Sequence, residues 1–559
     1  MKVSQLPYER YTLEEGKKCY EQVKDLIVHA KSVDDLLAAR KKMLAMVTEY
    51  ATAASLSNCR FTLNTKDTFY QAEVAYYDEV GPLFQEMTVE YGTLLLDSPF
   101  RKELEKHINP RVLTSYSIAK KAFSPAIIEE LQQENAIVTE YSTFMSGMVF
   151  HYEGEDMPLS VLRGKLEDED REVRRKACEA IGRGLEANAD KLDDIYDRLV
   201  KIRDTMAKKM GYRNFIELGY YRMGRMDYDA DMVANFRDNV RESLVPCVRK
   251  LKEAIGKELG INSIMFYDDA IYQSGATPRP ILDKDGIFAA AQEMYDSMNP
   301  EVGAFMRSMQ ENEAFDVEAR DGKWGGGYCT AFPKYKQPFI LANFNGSSGD
   351  VDVMTHEFGH ALAAHFVFEQ GDQELDVGGM ETAECHSMSM EFFSWKYMDK
   401  FFGKDAPRYR KRHLLDALSF IPYGVIVDEF QHRVYEKPEM TPAERKQMYQ
   451  ELEAKYRPYM HWEGIPYLEQ GTRWQYQMHI YESPFYYIDY CLAQTVAINF
   501  LLASQKDYKD AFERYLQFAR TGGQKAFGQL IDDAHLPSPF REGSLATMAK
   551  EVLALVETL

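Results

Sequence analysis

Two histidines and a glutamate that could act on one metal ion lie in the segment His356-Glu-Phe-Gly-His360. Histidines four residues apart stand above one another on one helix face, so both imidazoles can reach the same ion. Glu357, beside the first histidine, can then act as a base toward a water on that ion. Because only three of the five positions are fixed, the pattern also occurs by chance, and a third ligand is needed to support it.

The third ligand of a hydrolytic zinc site must come from a neighbouring element, since such sites have three protein ligands and one open position. Glu384 follows His360 by 24 residues, which fits the rest of one helix, a short loop and a return on a second helix. Glu384 and Glu391 share a helix face, so one can bind the metal while the other accepts a hydrogen bond from a ligating histidine. Glu381, one turn earlier on that face, is the competing third ligand.

Other metal-binding residue types nearby are not predicted as ligands. A longer zinc motif requires glycine at 363 and histidine at 366, where this chain has Ala363 and Phe366. His365 is one residue out of register with that motif, and His386 points away from the helix face of Glu384. The alternative, a solvated acidic helix face, is disfavoured by the methionines and phenylalanines that follow.

The sequence HEFGHA, followed by Glu384, Ser387 and Glu391, resembles the thimet-oligopeptidase family of zinc metallopeptidases. Within that family it is most similar to the bacterial oligoendopeptidase F and Pz-peptidase branch. Residues 325–329 and 338–344 resemble the glycine turn and the strand that precede the zinc helix in that branch.

This resemblance implies a mainly α fold. The expected molecule is a large helical body split by a deep substrate channel, with a small β-sheet beside the zinc-binding helix. Residues 1–200 are expected to form one channel wall, and residues 201–559 the catalytic region. One Zn2+ at the channel floor would be held by His356, His360 and Glu384, with Glu391 supporting a ligating histidine.

A histidine and several tyrosines near residue 480 are candidates for stabilising a reaction intermediate. Amide hydrolysis passes through a tetrahedral oxyanion, which tyrosine O–H and histidine N–H groups can stabilise. The family has a histidine and downstream tyrosines in that role, and His479 and Tyr490 map best. Tyr486 and Tyr487 are both further candidates for this role, and Tyr486 is favoured because it shares a helix face with Tyr490. Tyr487 is also a candidate substrate contact. Packing is the alternative, since the chain contains 36 tyrosines.

The segment 338–344 predicts a strand at the edge of the small sheet. Free backbone groups on such an edge can pair with an extended peptide without reading its side chains. Tyr328, Ala342 and Asn343 are the candidate substrate contacts. An ordinary buried strand is the alternative.

Apolar residues at three- and four-residue spacing predict one long amphipathic helix over 13–56 and another over 168–210. β-forming residues predict strands over 136–152 and 328–344, with Pro333 and Pro338 as breaks. The elements therefore agree with a mainly helical body and a small sheet.

Composition excludes several classes of partner. The net charge of −21 opposes binding to nucleic acids or anionic membranes. No apolar run approaches the roughly 18 residues of a membrane span. Seven scattered cysteines without CxxC pairs, and an N-terminus without an apolar signal core, predict a cytoplasmic protein with reduced thiols.

The predicted function is a zinc-dependent oligoendopeptidase acting on short peptides. Two alternatives are a helical zinc carboxypeptidase and a dipeptidyl carboxypeptidase. The latter needs a cationic pocket for the substrate C-terminus, and the sequence offers no clear one. A third is a catalytically inert metal-binding scaffold, which the presence of Glu357 disfavours. The sequence makes no prediction of oligomeric state.

Overall fold

Helices make up most of the chain, which confirms the predicted mainly α class. The computed structural model describes residues 1–372 and 374–559. The helices of the first half are α1 (Leu13–Val28), α2 (Val33–Leu63), α3 (Thr68–Leu96), α4 (Arg101–Leu104), α5 (Pro110–Ala122), α6 (Ile128–Gly147), α7 (Leu159–Lys165), α8 (Arg171–Glu186), α9 (Ala189–Lys209), α10 (Phe215–Arg222), α11 (Ala230–Asn239) and α12 (Val245–Glu258). Those of the second half are α13 (Lys284–Met298), α14 (Pro300–Glu311), α15 (Gly349–Gln370), α16 (Met380–Phe393), α17 (Asp399–Phe402), α18 (Ala406–Glu436), α19 (Pro442–Tyr456), α20 (Met478–Glu482), α21 (Tyr487–Lys506), α22 (Tyr508–Thr521), α23 (Phe527–Asp533) and α24 (Ser544–Val556).

The two long amphipathic stretches are each divided into two helices, so the prediction of single helices is wrong. The first divides between α1 and α2, where Ser32 and Asp35 form a capping box that starts α2. The second divides at residues 187–188, between α8 and α9. Apolar spacing continues across both breaks, so it does not show where a helix ends. At the first break, the capping box is the local signal that marks the start of the new helix.

The predicted strand over 136–152 is wrong for most of its length. Residues up to Gly147 belong to α6, and only β1 (Phe150–Tyr152) is extended, paired with β2 (Glu155–Met157). In α6 the Tyr141 ring stacks on Tyr481 at 3.8 Å, and Glu134 makes a buried ion pair with Arg203. Tertiary packing of this kind overrides β propensity.

The sheet beside α15 has three strands in the order β3 (Phe315–Glu318), β5 (Gln337–Phe344), β4 (Tyr328–Phe332). β5 pairs parallel with β3 and antiparallel with β4, so it is the central strand. The prediction that residues 338–344 form an edge is therefore wrong, because β3 occupies the far side. Pro338, predicted as a break, lies inside β5 opposite Ala331.

Two apolar cores hold the helices together. The smaller is built mainly by α1, α2 and α3, and includes Val367 from the end of α15. The larger extends through the remaining helices and includes the buried faces of α15, α16 and α21. The three helices that carry the predicted ligands, Glu357 and Tyr490 are therefore anchored in one core.

None of the described helices combines the length and apolar character needed to cross a bilayer. All seven cysteines are unpaired, five of them buried. Burial raises the pKa of Cys385, beside Glu384, well above its usual range. That thiol is therefore held in its neutral form.

Candidate metal centre

Close approach of α15 and α16 brings the predicted ligands together. A Cβ on Gly359 would lie 2.5 Å from the backbone oxygen of His386 and 2.7 Å from the Cα of Ser387. Glycine at this position therefore allows the backbone of α16 to lie against α15. Gly378, at φ +110°, allows the tight turn that leads into α16.

His356, His360 and Glu384 each offer one ligand atom, and these atoms lie within 4.8 Å of one another. The Nε2 atoms of His356 and His360 lie 3.4 and 3.7 Å from Oε2 of Glu384. Two imidazole nitrogens and one carboxylate oxygen are the donor set of a catalytic zinc site. The residues present therefore fit a Zn2+ ion.

Glu391 lies behind His356 rather than beside the second histidine. Nδ1 of His356 is 2.6 Å from Glu391 Oε1, and Oε2 of the same carboxylate is 2.8 Å from His413 Nε2. With its Nδ1–H donated to Glu391, His356 keeps the lone pair of Nε2 for a metal. This is the supporting position that the sequence assigned to one of the two glutamates.

His413 is itself oriented by the buried indole of Trp395, whose Nε1 donates to His413 Nδ1 at 2.8 Å. An indole N–H can only donate, so Nδ1 accepts and the proton lies on Nε2, facing Glu391. Burial disfavours a charged His413 and the bond to Glu391 favours it, with a raised pKa as the net result. The Trp395 donor opposes that protonation.

Glu357 lies on α15 beside the ligand cluster and is 8% exposed. Burial raises its pKa to about 7, against smaller opposite contributions from the charge of His356 and the backbone amide of Cys329. A carboxyl group with a pKa near neutrality can exchange a proton in either direction.

His479 and Tyr490 lie near Glu384, whose charge affects the pKa of both. Burial lowers the pKa of His479 to about 4, so the imidazole is neutral. Gln477 Nε2 donates to His479 Nδ1 at 2.9 Å, which leaves the proton on Nε2 as a free donor. No sequence motif marks Gln477 for this role, although it lies only two residues before His479.

Tyr486 and Tyr487 occupy different environments. The Tyr486 hydroxyl donates to Oε1 of Glu384 at 3.1 Å, and its ring lies 4.8 Å from that of Tyr490. Tyr487 packs against His479, with ring centroids 5.0 Å apart. Tyr486 thus contacts a proposed metal ligand, whereas Tyr487 lines a cavity beside the ligand cluster, which is described below.

The turn before α21 is held by a buried ion pair that no sequence pattern predicts. Arg225 donates to the backbone oxygen of Phe485 and, at 2.9 Å, to Asp489 Oδ1. Phe485 adopts a left-handed conformation with φ +67°, which this contact helps to hold. Because Asp489 lies next to Tyr490, the pair positions the start of the tyrosine-bearing helix.

Several candidates lie outside the cluster. Glu381, the competing ligand, accepts a hydrogen bond from the hydroxyl of Tyr228 at 3.3 Å. His365 stacks on Phe305 at 4.3 Å, and His386 is bonded through Nε2 to the backbone oxygen of Val377. None of the three is part of the ligand group.

The predicted substrate contacts on β5 have structural partners instead. Ala342 is 2% exposed, and its backbone oxygen accepts from the buried Lys323 ammonium. The Asn343 amide donates to the backbone oxygens of Trp324 and Gly326. Pairing of a peptide with β5 at these residues is excluded by its central position. Tyr328 lies at the start of the edge strand β4, where its hydroxyl is 2.6 Å from that of Thr62.

A cavity of about 740 Å³ adjoins the cluster. Its lining includes Glu391, His479, Tyr487 and Tyr490 from the site described above. Charged residues also line it: Asp416 from α18, and Arg457 and Arg473 from the segment between α19 and α20. The cavity is large enough to hold a peptide segment.

Residues 3–123 match the Peptidase M3 N-terminal domain, and residues 165–278 and 296–550 match Peptidase family M3. The chain therefore belongs to peptidase family M3. This confirms the resemblance predicted from the HEFGHA motif and the glutamates that follow it.

Particular relatives agree with the predicted branch. The solved structure of Pz peptidase A with inhibitor 2 is 40% identical, with a TM-score of 0.93, covering 100% of this chain and 99% of that one. Oligopeptidase PepF of Bacillus subtilis is 22% identical over 64% of this chain. The oligoendopeptidase F homolog of Borreliella burgdorferi is likewise 22% identical over 64% of this chain. The chain spans 53% and 61% of the lengths of these two curated relatives.

Proposed function

We propose that this protein is a zinc-dependent oligoendopeptidase that hydrolyses internal bonds of short, unstructured peptides. The observation that carries the proposal is the convergence of one ligand atom each from His356, His360 and Glu384 within 4.8 Å. The family membership and the names of the relatives support peptide hydrolysis.

A zinc ion held by these three residues would polarise the scissile carbonyl and make a water more acidic. Glu357 accepts the proton of the attacking water as the new C–O bond forms. It then delivers that proton to the amine nitrogen as the C–N bond breaks. His479, through Nε2–H, and Tyr490, through its hydroxyl, donate to the developing oxyanion.

The peptide backbone would pair with β4, since β4 is the sheet edge beside α15. Its residues Tyr328–Ala331 are half-buried, so one side of the strand is accessible. Backbone pairing with an edge strand holds an extended peptide and suits broad specificity.

The test is cleavage of an internally quenched peptide of about ten residues, blocked at both ends, a length that a cavity of this class can partly enclose. Internal cuts that o-phenanthroline abolishes and zinc restores are the expected result. Trimming only of free-ended peptides would favour a carboxypeptidase instead. Absence of any cleavage with zinc bound would favour an inert scaffold.

A further inference from the structure

Arg473 lines the same cavity as His479 and Tyr490, and it forms no ion pair with a carboxylate of residues 1–372 or 374–559. Its Nε and Nη1 atoms are buried and have no hydrogen-bond partner among the described residues. A charged group removed from water in this way is costly unless another group compensates it.

Arg473 as a whole is half-buried, and the fully buried arginines show how this chain meets that requirement. Each forms an ion pair with at least one carboxylate; they are Arg174, Arg203, Arg225, Arg445 and Arg457. Arg473 differs from all five, although Arg457 lines the same cavity. Arg473 thus lacks an ion pair in the wall of a cavity, where a ligand could supply the anion.

Aromatic rings fix the guanidinium in position. Its central carbon lies 3.7 Å from the ring centroid of Tyr423, 5.3 Å from that of Phe266 and 5.6 Å from that of Tyr476. Cation–π contacts stabilise the charge but accept none of its N–H groups in the plane of the fork. The in-plane donors Nε and Nη1 are therefore left without an acceptor among the described residues.

Hydrogen bonds connect this cation to the proposed oxyanion donor. The Tyr423 hydroxyl donates to Gln477 Oε1 at 2.6 Å, and Gln477 Nε2 donates to His479. Arg163, exposed and without an ion pair among the described residues, lines the cavity near Tyr476. A peptide held at Arg473 would thus lie at a fixed distance from the group that acts on its scissile bond.

We propose that Arg473, assisted by Arg163, binds a carboxylate group of the peptide that occupies the cavity. The carboxylate is either the C-terminal group or an acidic side chain, since both fit a guanidinium fork. This inference rests on the proposed function, because it takes a peptide as the ligand of the cavity. It does not depend on hydrolysis of that peptide.

Binding tests the proposal without turnover. Three labelled ten-residue peptides are compared. The first is a free acid, the second is its C-terminal amide, and the third is the same amide with one internal residue replaced by glutamate. Their affinities for zinc-loaded Glu357→Gln protein are measured by fluorescence anisotropy. We expect a carboxylate-bearing peptide to bind at least about tenfold more tightly than the neutral amide, as for other desolvated charge pairs. The arm that shows the preference identifies the source of the carboxylate.

Adding Arg473→Gln should bring that affinity ratio close to one, whereas adding Arg249→Gln, an exposed arginine paired with Glu253, should leave it unchanged. Equal binding of all three peptides, or a ratio that survives Arg473→Gln, would overturn the proposal. If Arg473→Gln does not fold, Arg473→Lys should reduce the ratio in part, because lysine keeps the charge without the fork. A preserved ratio in Arg473→Lys and Arg163→Gln would then overturn it. An intact preference without cleavage by the wild type would contradict only the proposed hydrolysis.

Discussion

Trp395, which lies just after α16, donates a hydrogen bond of 2.8 Å from Nε1 to Nδ1 of His413 on α18. The bond fixes the tautomer of His413, which donates to Glu391, which in turn accepts from His356. The indole, which can only donate, sets the first two directions, and the ionised Glu391 carboxylate, which can only accept, sets the third. The final consequence is a free lone pair on Nε2 of a proposed ligand.

Replacing Trp395 with phenylalanine removes that donor and keeps most of the apolar volume. We expect the zinc affinity of Trp395→Phe to fall by about tenfold, the lower end of the range for partners beyond the ligands. Competition with a fluorescent chelator measures it directly. Trp324→Phe is the matched control, since Trp324 is 44% exposed and remote from this series. Equal affinities of the two variants would contradict the tautomer argument.

Glu357→Gln separates proton transfer from metal binding. The amide cannot accept a proton, so we expect turnover to fall by at least about a hundredfold, the usual contribution of general base catalysis. Zinc content, measured by atomic absorption, should stay near one ion per chain. His356→Ala and Glu384→Ala should instead lose the metal. A Glu357→Gln variant with a near-normal rate would show that another group is the base.

Tyr486 and Tyr490 should respond differently to loss of their hydroxyls. Tyr490→Phe should lower kcat by about a hundredfold, as for the loss of one oxyanion donor, with zinc affinity unchanged. Tyr486→Phe should weaken zinc binding, because it removes the 3.1 Å bond to Glu384. Chelator competition and steady-state kinetics distinguish the two effects. Tyr221→Phe, which removes an exposed hydroxyl bonded to Glu217, serves as the control.

The structure agrees with the sequence where local geometry sets the position of a candidate residue. Helical periodicity alone places His356 above His360, and the structure has both on α15. The separation to Glu384 is long enough for one loop and a return, which the structure contains as α16. These placements stay within about thirty residues of chain, where few folds satisfy the spacing.

The parts that were missed depend on how distant helices pack. His413 reaches Glu391 from α18, and Arg225 reaches Asp489 across 264 residues. No periodicity encodes such contacts. The edge of the sheet is misassigned for the same reason: β3 pairs with β5. The four residues of β3 alternate between apolar and acidic, but so short a run does not by itself predict a strand.

Gln477→Glu tests whether His479 acts as a neutral donor. The glutamate would accept a proton from Nδ1, so that Nε2 becomes an acceptor or the ring becomes charged. We expect kcat to fall by about tenfold or more, as for other wrong-tautomer changes at a catalytic histidine. Nitrogen chemical shifts of His479 report the tautomer. Gln447→Glu, on the exposed face of α19, is the control. Lost activity with unchanged His479 shifts would contradict this explanation.

Glu134 is expected to stabilise the fold through charge rather than packing. It pairs with Arg203 at 2.6 Å and Arg222 at 2.8 Å, and is 2% exposed. Burial alone would raise its pKa, but the two arginines outweigh burial and lower the pKa below its usual 4.5. Glu134→Gln leaves the fully buried Arg203 without its carboxylate, so we expect a loss of about 3 kcal/mol at pH 7.

The pH dependence of that loss gives the sharper test. Because the folded pKa is depressed, the stabilisation is present above pH 4.5 and declines as pH falls through the folded pKa. The difference between wild type and Glu134→Gln in urea denaturation midpoint should therefore be constant from pH 8 to 5 and shrink below that range. Glu253→Gln, which breaks the exposed pair with Arg249, should change the midpoint little at any pH. A difference that stays constant down to pH 3 would mean that packing, not charge, explains the effect.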